Sequence, residues 1–227
     1  LQAVETRARL TALSLEPERE TGPFHWDGTH ILREDERLIP YRDCGLKGMH
    51  NLANILAGLN AIHGFIPSGE HAEFREHLRQ VLRAFSGIEH RMEFVAVVDD
   101  VSYYNDSKAT NIESVKYAIE SFDHPVFLIL GGYDKDGDFA RLIPGIRKHV
   151  KKTLVIGKDR QKIQSQLEPS VSVELFPGLP EAVRFAADQA ALGDVVLLSP
   201  ACASFDQYTN YEERGAHFKQ LVEQLKQ

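Results

Sequence analysis

The sequence predicts an α/β fold in which a mainly parallel sheet carries helices on both faces. From Ile88 onward, short apolar runs alternate with stretches whose apolar residues recur at helical spacing. Strands that alternate with helices indicate βαβ units, whose strands run parallel. One run, residues 126–130, is apolar at every position, which is typical of a strand buried on both faces of a sheet.

The elements of this region follow in regular order along the chain. Strands are predicted at 94–98, 101–104, 126–130, 153–156, 171–175 and 195–198. Helices are predicted at 111–122, 139–150, 159–167, 180–191 and 212–226. The first two strands are joined by Asp99 and Asp100, so we expect an antiparallel hairpin at one edge of the sheet. Residues 86–227 are therefore predicted to form one complete Rossmann-like domain.

Residues 1–85 have a different organisation, which predicts a separate domain or part of one. Asp27 and Gly28 lie between two apolar runs and predict a hairpin turn. Two amphipathic helices are predicted after the hairpin, the first over residues 50–63. The residues expected to face inward are Leu52, Ile55, Leu56, Leu59 and Ile62 in the first helix, and Phe74, Leu78, Leu82 and Phe85 in the second.

Composition excludes several classes of function. The chain has 227 residues and a net charge of −7, which does not suit a nucleic-acid surface. No apolar run approaches the roughly 20 residues that span a membrane. Two cysteines, Cys44 and Cys202, cannot build a disulfide framework, so we expect a reducing cytoplasm. The histidines form no metal-binding motif, and the start at Leu1 reads as a chain cut from a longer one.

Three loops that follow predicted parallel strands carry polar side chains. They cover residues 105–111, 131–139 and 199–206, and they supply Lys108, Thr110, Lys135 and Ser204. Because the carboxyl ends of parallel strands meet at one edge of a sheet, we expect the loops to converge there. Cations and hydroxyl groups donate charge-assisted hydrogen bonds to carboxylates and phosphates. The three loops therefore predict a site for a small anionic molecule.

Simpler explanations exist for some of these residues. Thr110 and Glu113 fit a helix capping box, but a cap requires neither Asp106 nor Lys108. Gly131 and Gly132 in the second loop could serve simply to make a turn, without any role in binding. Cys202 has small apolar neighbours, which favours a packing role over a nucleophile.

Two further features stay open on the residues alone. Arg91, next to His90, is either a solvated surface residue or a group that grips a phosphoryl group during transfer. Asn51 and Asn54 are three residues apart and share a helix face, so they could read the edge of an adenine. Asn51 could instead simply cap its helix, and spacing alone favours that explanation.

Five segments together resemble the Mur ligase family. They run in order over most of the chain, at residues 48–54, 87–93, 104–111, 131–139 and 199–215. Residues 105–111 and 199–204 resemble the family member that adds D-glutamate. The resemblance implies peptidoglycan precursor synthesis, in which ATP and Mg²⁺ drive amide-bond formation between UDP-N-acetylmuramoyl-L-alanine and D-glutamate through an acyl phosphate. It also implies that residues 1–85 are an α+β remnant of a P-loop-type central ATP-binding domain.

The resemblance implies roles for individual residues. The residues expected at ATP are Asn51, Asn54, Arg91, Asp106 and Lys108. Those expected around D-glutamate are Lys135, Thr110, Ser204, Phe205 and Tyr211, the last standing where the family often has Phe. Those expected to act in catalysis are Lys108, Arg91 and His90.

The chain lacks the Gly-x-x-x-x-Gly-Lys-Ser/Thr phosphate loop that the family carries in its central domain. The main metal and phosphate ligands are therefore expected outside this chain, which is predicted to be inactive alone. The parent is expected to be a cytoplasmic monomer whose domains close about a hinge near Ser86 and Gly87. Two alternatives stay open: a non-catalytic binding module, and a related ligase that adds another acidic amino acid.

Overall fold

The computed structural model describes residues 14–17, 22–46, 49–65, 71–85 and 87–226. The chain divides into two compact units, Leu1–Gly87 and Ile88–Gln227. Ser86, one half of the predicted hinge, lies outside the described residues. The assignment of residues 1–85 to a central ATP-binding domain stays a prediction.

The first unit combines a small antiparallel sheet with two helices. Its strands are β1 (Phe24–Trp26), β2 (His30–Arg33) and β3 (Glu36–Pro40), and its helices are α1 (Met49–His63) and α2 (His71–Ala84). The predicted hairpin at Asp27 and Gly28 is confirmed, because β1 and β2 pair antiparallel across it. The carboxylate of Asp27 accepts hydrogen bonds from the backbone N–H groups of Thr29 and His30 and closes the turn.

The two helices bury most of the predicted residues, with two exceptions. Leu52, Leu56, Leu59, Leu78 and Leu82 are buried in one core with the sheet. Ile62 is instead 43% exposed, because it lies about 80° around the helix from Leu52 at about 100° per residue. Phe85 is 48% exposed, because α2 ends at Ala84, before this residue.

The second unit contains a six-stranded sheet. Its strands are β4 (Glu93–Val98), β5 (Val101–Asn105), β6 (Val126–Gly131), β7 (Val150–Ile156), β8 (Val173–Leu175) and β9 (Val195–Leu198), in the spatial order β4-β5-β9-β6-β7-β8. Only β4 is antiparallel to its neighbour, so the predicted edge hairpin and parallel sheet are both confirmed.

Five helices cover the two faces of this sheet, as predicted. They are α3 (Ile112–Glu120), α4 (Ile143–His149), α5 (Arg160–Leu167), α6 (Leu179–Gln189) and α7 (Tyr211–Gln224). The predicted helix over residues 139–150 is divided into a 3₁₀ turn (Phe139–Leu142) and α4. Pro144 is the reason, because proline lacks an N–H group and favours the first turn of a new helix.

The path of the chain determines which loops become neighbours. The connections from β5 through β6 and β7 to β8 all move in one direction, and their helices pack on one face of the sheet. The chain then returns through α6 on the other face, and β9 fills the gap between β5 and β6. Right-handed crossovers account for the change of face. The strands β5, β9 and β6 are therefore neighbours. The loops that follow them lie together at the carboxyl edge of the sheet.

Within the ranges described, no helix has both the length and the apolar character needed to cross a membrane.

We predict that Gly131→Ala destabilises the chain more than Gly193→Ala does. Both glycines have a positive φ, 112° and 87°, so both substitutions carry a backbone cost of about 1–2 kcal/mol. A Cβ at Gly131 would also lie 2.2 Å from the carbonyl oxygen of Ile156, whereas nothing lies within 4 Å at Gly193. We expect an extra loss of about 2 kcal/mol for Gly131→Ala, measured by urea unfolding followed by circular dichroism. Equal losses would contradict the predicted clash.

Candidate functional site

Asp106 joins three segments at the carboxyl edge of the sheet. Its Oδ2 atom accepts a hydrogen bond from the Ser199 hydroxyl at 2.7 Å, and its Oδ1 atom accepts one from the backbone N–H of Met92 at 3.2 Å. Its own N–H donates to the carbonyl of Leu198. Burial raises the pKa of Asp106 to about 6, although the bonds from Ser199 and Met92 and the charge of Arg91 act in the opposite direction.

The segment formed by residues 90–92 is held against the first loop in an unusual backbone conformation. His90 and Met92 both have positive φ values, 64° and 46°. The carbonyl of His90 accepts a hydrogen bond from the N–H of Lys108 at 3.0 Å. This contact places Arg91 and Lys108 on neighbouring pieces of backbone, and both side chains are exposed.

The ring of His90 is fixed by a buried amide. Nδ1 of His90 lies 2.9 Å from Nδ2 of Asn105, whose Oδ1 accepts the N–H of Ser107. Since the Asn105 oxygen faces a donor, its NH₂ group faces His90, and Nδ1 of His90 is the acceptor. The ring also packs edge-on against Tyr211, with centroids 6.1 Å apart.

A cluster of acidic groups beside His90 does not suit a metal ion. Glu89, His90 and Glu93 bring their ligand atoms within 4.8 Å of one another. The ammonium of Lys219 pairs with both carboxylates, at 3.0 Å for Glu93, and already offsets part of their charge. The cluster is better described as a structural ion-pair network.

The second and third loops lie side by side, as the sequence predicts. Tyr133 and Ala203 exchange two backbone hydrogen bonds, of 2.9 and 3.0 Å. The N–H of Gly131 also donates to the carbonyl of Pro200. Across this junction, the ammonium of Lys135 lies 6.0 Å from the ring centroid of Phe205.

The cap of α3 differs from the predicted capping box. Asn111, rather than Thr110, is the N-cap, and its Oδ1 atom accepts the N–H of Ser114 at 2.9 Å. Glu113 pairs instead with Arg141. Capping therefore does not explain Thr110, because the chain enters the helix one residue later than predicted.

Cys202 has the properties of a structural cysteine. Its side chain is 1% exposed, and burial raises the pKa of its thiol to about 12. A thiol with this pKa holds almost no thiolate near neutral pH, and the thiolate is the reactive form. The packing role that the sequence favours is supported.

Asn51 and Asn54 lie on α1 in the first unit, and each unit is described by itself. Nδ2 of Asn54 is 3.5 Å from Oδ1 of Asn51, so the two amides share a face as predicted. Because α1 begins at Met49, Asn51 lies within the first turn rather than at the cap.

Comparison with known proteins shows to which family this chain belongs. Residues 90–202 match the family described as Mur ligase, glutamate ligase domain. The chain is 41% identical to a protein of Salinibacter ruber over 98% of its own length, and 39% identical to one of Halalkalibacterium halodurans over 99%. Both relatives are named UDP-N-acetylmuramoylalanine–D-glutamate ligase.

The chain belongs to the Mur ligase family. It spans about half the length of the curated relatives it matches, 48% of the Salinibacter protein and 49% of the Halalkalibacterium protein.

Solved structures agree with this fold. A bifunctional folylpolyglutamate synthase/dihydrofolate synthase from Yersinia pestis superposes with a TM-score of 0.62 and 19% identity. The match covers 88% of this chain and 45% of the length of the Yersinia protein. The UDP-N-acetylmuramate-alanine ligase of Thermotoga maritima superposes with a TM-score of 0.59 and 12% identity. This match covers 86% of this chain and 42% of the length of the Thermotoga protein.

The structure places the predicted residues of this member of the Mur ligase family in two neighbouring groups. Around the first loop lie His90, Asp106 and Lys108, whose ammonium is 5.8 Å from the ring centroid of Tyr211. Around the junction of the second and third loops lie Lys135, Phe205 and Ser204. Ser204 is buried at 2% exposure, whereas the ring of Phe205 is 67% exposed. Thr110 is half-buried, directly before α3.

Sequence reasoning missed Arg214, a buried arginine that links the loops. Its Nε and Nη2 atoms donate to the hydroxyl and carbonyl of Ser107, both at 2.9 Å, and Nη1 and Nη2 donate to the carbonyl of Cys202. Arg214 is 1% exposed, and burial lowers its pKa to about 10. A cation in the first turn of a helix opposes the helix dipole, which is the signal that could have identified it.

A fourth loop at the same edge was also missed. Residues 157–160 follow β7, and Lys158 donates its N–H to the carboxylate of Asp206 at 2.8 Å. The carboxylate of Asp159 accepts the N–H of Asp134 at 2.8 Å. Because β7 is parallel to β6, the same rule that predicted the other three loops applies here.

We predict that Asp106→Asn raises the free energy of unfolding at pH 7.5 by about 2 kcal/mol, and that the gain shrinks as the pH falls below about 6 and disappears below about 3.8. Burial raises the pKa of Asp106 from 3.8 to about 6, so the folded state disfavours the carboxylate. Its contribution to stability is therefore fully present below about 3.8 and is lost as the pH rises through about 6.

Urea unfolding at several pH values measures this difference. Asp123→Asn, at an exposed position, is the control for the loss of one surface charge. A gain for Asp106→Asn that stays constant or grows toward low pH would contradict the assignment.

Proposed function

We propose that this chain is part of an ATP-dependent ligase that adds D-glutamate to UDP-N-acetylmuramoyl-L-alanine in peptidoglycan precursor synthesis. The observation that carries the proposal is that the loops after the adjacent strands β5, β9 and β6 converge at one edge of the sheet. These loops bring together hydroxyl groups and the exposed cations Lys108 and Lys135. The names of the matched relatives support the choice of substrates.

The proposed reaction forms an amide bond in two steps. The alanyl carboxylate of the precursor attacks the γ-phosphoryl group of ATP, becomes an acyl phosphate and displaces ADP. The amine of D-glutamate then attacks the acyl carbon, loses a proton, and displaces inorganic phosphate. The contribution of this chain is to hold the amine in position, which can supply about 7–11 kcal/mol of the barrier at best.

The D-glutamate site is assigned to the second unit. Its members are Lys135, Thr110, Ser204, Phe205 and Tyr211. Lys135 and Ser204 suit a carboxylate, because an ammonium and a hydroxyl both donate charge-assisted hydrogen bonds to it. The exposed ring of Phe205 beside Lys135 gives the site an apolar wall.

The nucleotide residues are assigned by the same reasoning. Arg91 and Lys108 are exposed cations joined through the His90 carbonyl, which suits phosphate groups. Asp106 is assigned to the ribose. Each of its oxygens already accepts one hydrogen bond, and each retains one acceptor position for a sugar hydroxyl.

Asn51 and Asn54 are assigned to the adenine, because paired amides on one helix face offer a donor and an acceptor. His90 is retained among the residues proposed to act in catalysis, with Arg91 and Lys108. The ring of His90 packs edge-on against the ring of Tyr211, which is assigned to D-glutamate.

Mg²⁺ is the proposed metal cofactor, and it offsets charge on the transferring phosphoryl group when bound. The acidic cluster at Glu89 and Glu93 does not fit it, since Lys219 already occupies both carboxylates. Its ligands are therefore assigned outside this chain. We further propose that the parent enzyme is a monomer in a bacterial cytoplasm.

The D-glutamate site predicts that the chain binds D-glutamate at millimolar concentration and that Lys135→Gln weakens binding about tenfold. The reason is the loss of a charge-assisted hydrogen bond. Amide shifts in two-dimensional NMR, recorded during titration, measure the affinity and should move near Lys135 and Ser204. Lys148→Gln removes an exposed lysine at the opposite edge of the sheet and is the matched control.

The alternatives give different outcomes in the same titration. Stronger binding of another acidic amino acid would favour a related ligase. An unchanged affinity in Lys135→Gln, or no response to D-glutamate, would reject the proposed site.

We also predict that the chain alone releases no phosphate from ATP in the presence of both other substrates. The sequence contains no phosphate loop that could hold the β- and γ-phosphates. Phosphate release is the measurement, and the longer Salinibacter ruber relative is the positive control. Turnover by the chain that depends on D-glutamate would contradict this prediction.

A further inference from the structure

Asn105 is a buried amide that joins three parts of the second unit. It is the last residue of β5, and its side chain is 0% exposed. Its NH₂ group lies 2.9 Å from Nδ1 of His90, 3.0 Å from the carboxylate of Glu93 and 3.4 Å from the carbonyl of Gly215 on α7. The amide is out of reach of a ligand, so any effect that it has on one passes through its neighbours.

The surroundings of this amide allow only one orientation. Its oxygen accepts the N–H of Ser107 at 3.2 Å. In the reversed orientation the NH₂ group would face that N–H, and the oxygen would face the carboxylate of Glu93, so both contacts would be repulsive. The NH₂ group therefore faces His90, whose Nδ1 atom is unprotonated, and the ring holds its proton on Nε2.

Gly215 makes room for this arrangement. It lies in the interior of α7, where a Cβ would be 2.3 Å from Nδ1 of His90 and 3.0 Å from both polar atoms of the Asn105 amide. Glycine in the interior of a helix is destabilising relative to alanine. The position therefore sacrifices helix stability so that the His90 ring can lie against the amide.

His90 in turn holds the backbone of a residue that is assigned to ATP. Its carbonyl accepts the N–H of Lys108 at 3.0 Å, and Arg91, the next residue, is also assigned to ATP. The φ of His90 is 64°, a conformation that persists only where the surroundings fix it. The contacts of the ring fix it here, and the ring itself is 5% exposed.

We propose that Asn105 is a positioning residue for nucleotide binding. It fixes the His90 ring with the proton on Nε2, and the His90 carbonyl then sets the position of Lys108. This inference rests on the proposed function, in which Lys108 and Arg91 bind the phosphate groups of ATP. It gives His90 a role through its backbone, because the amide of Asn105 blocks proton transfer to or from Nδ1.

The position of the ring proton is a direct test. Two-dimensional ¹H–¹⁵N NMR of the histidine rings, recorded on the whole chain at pH 7.5, shows which nitrogen holds the proton. The signals of His90 are identified by their absence in His90→Asn. We expect an unprotonated Nδ1 and a protonated Nε2. A proton on Nδ1 would reject the role of Asn105, because two donors would then face each other.

Two substitutions test the effect on the nucleotide. Asn105→Asp replaces the NH₂ group with an oxygen that cannot donate, and Gly215→Ala displaces the His90 ring. We expect each to weaken ADP binding, measured by NMR titration of the whole chain, about fivefold and to speed hydrogen exchange of the Lys108 amide. Gly145→Ala in α4 is the matched control, since its Cβ would meet nothing closer than 4.0 Å, and it should change neither quantity.

His90→Asn separates positioning by the ring from chemistry at the ring. Asparagine places an amide oxygen where Nδ1 stood and tolerates a positive φ, so the bond from Asn105 is kept. We expect ADP binding within about twofold of the unsubstituted chain. A loss as large as that of Asn105→Asp would show that the imidazole itself is required and would reject the proposed role.

The outcomes separate this inference from the proposed function. If the unsubstituted chain binds ADP and neither Asn105→Asp nor Gly215→Ala changes the affinity, the role of Asn105 is rejected while the nucleotide assignment survives. Weaker binding without faster exchange at Lys108 would also reject it. If the unsubstituted chain does not bind ADP, the assignment fails and the role fails with it. Gly215→Ala decides the question where the buried carboxylate of Asn105→Asp prevents folding.

Discussion

The close approach of the loops at the carboxyl edge depends on one buried cation, Arg214. Its guanidinium joins Ser107 in the first loop to the carbonyl of Cys202 in the third, and within the part of the chain that the structure describes it forms no ion pair with a carboxylate. Burying a charge is costly unless hydrogen bonds satisfy it, and Arg214 uses all three of its nitrogen atoms. Removing it would leave the carbonyls of Ser107 and Cys202 buried without these donors, so the arrangement of both loops depends on a side chain that is itself inaccessible to a ligand.

Glycines make that approach possible. At Gly132 a Cβ would lie 2.4 Å from the Ala203 carbonyl oxygen, and at Gly157 it would lie 2.6 Å from the Asp206 carboxylate. These contacts put the backbones of the second, third and fourth loops in direct contact, which positions the side chains of Lys135 and Phe205. The same edge contains Asp106, a carboxyl group with a raised pKa that holds the 90–92 segment. Buried charges of both signs therefore organise a rim whose exposed groups are cations and aromatic rings.

The order of the strands also has a consequence for how the edge is assembled. β9 is the last strand in sequence, yet it lies between β5 and β6. Contacts between distant parts of a chain carry a higher entropic cost of loop closure, so the pairing of β9 requires long-range organisation. The bonds from Arg214 to Ser107 span 107 residues. The edge is therefore complete only when β9 and α7 are both in place.

The sequence by itself determined the α/β class, the edge hairpin and the three loops, because apolar periodicity and the rule for parallel strands are local or general properties. The tertiary structure decided the rest. Thr110 and Asn111 are both residue types that cap helices, and the structure shows that Asn111 caps α3. Phe85 fits the inward stripe of α2, but the helix ends before it. Arg214 and Lys158 gain their positions from contacts across 107 and 48 residues, and periodicity carries no information about such contacts.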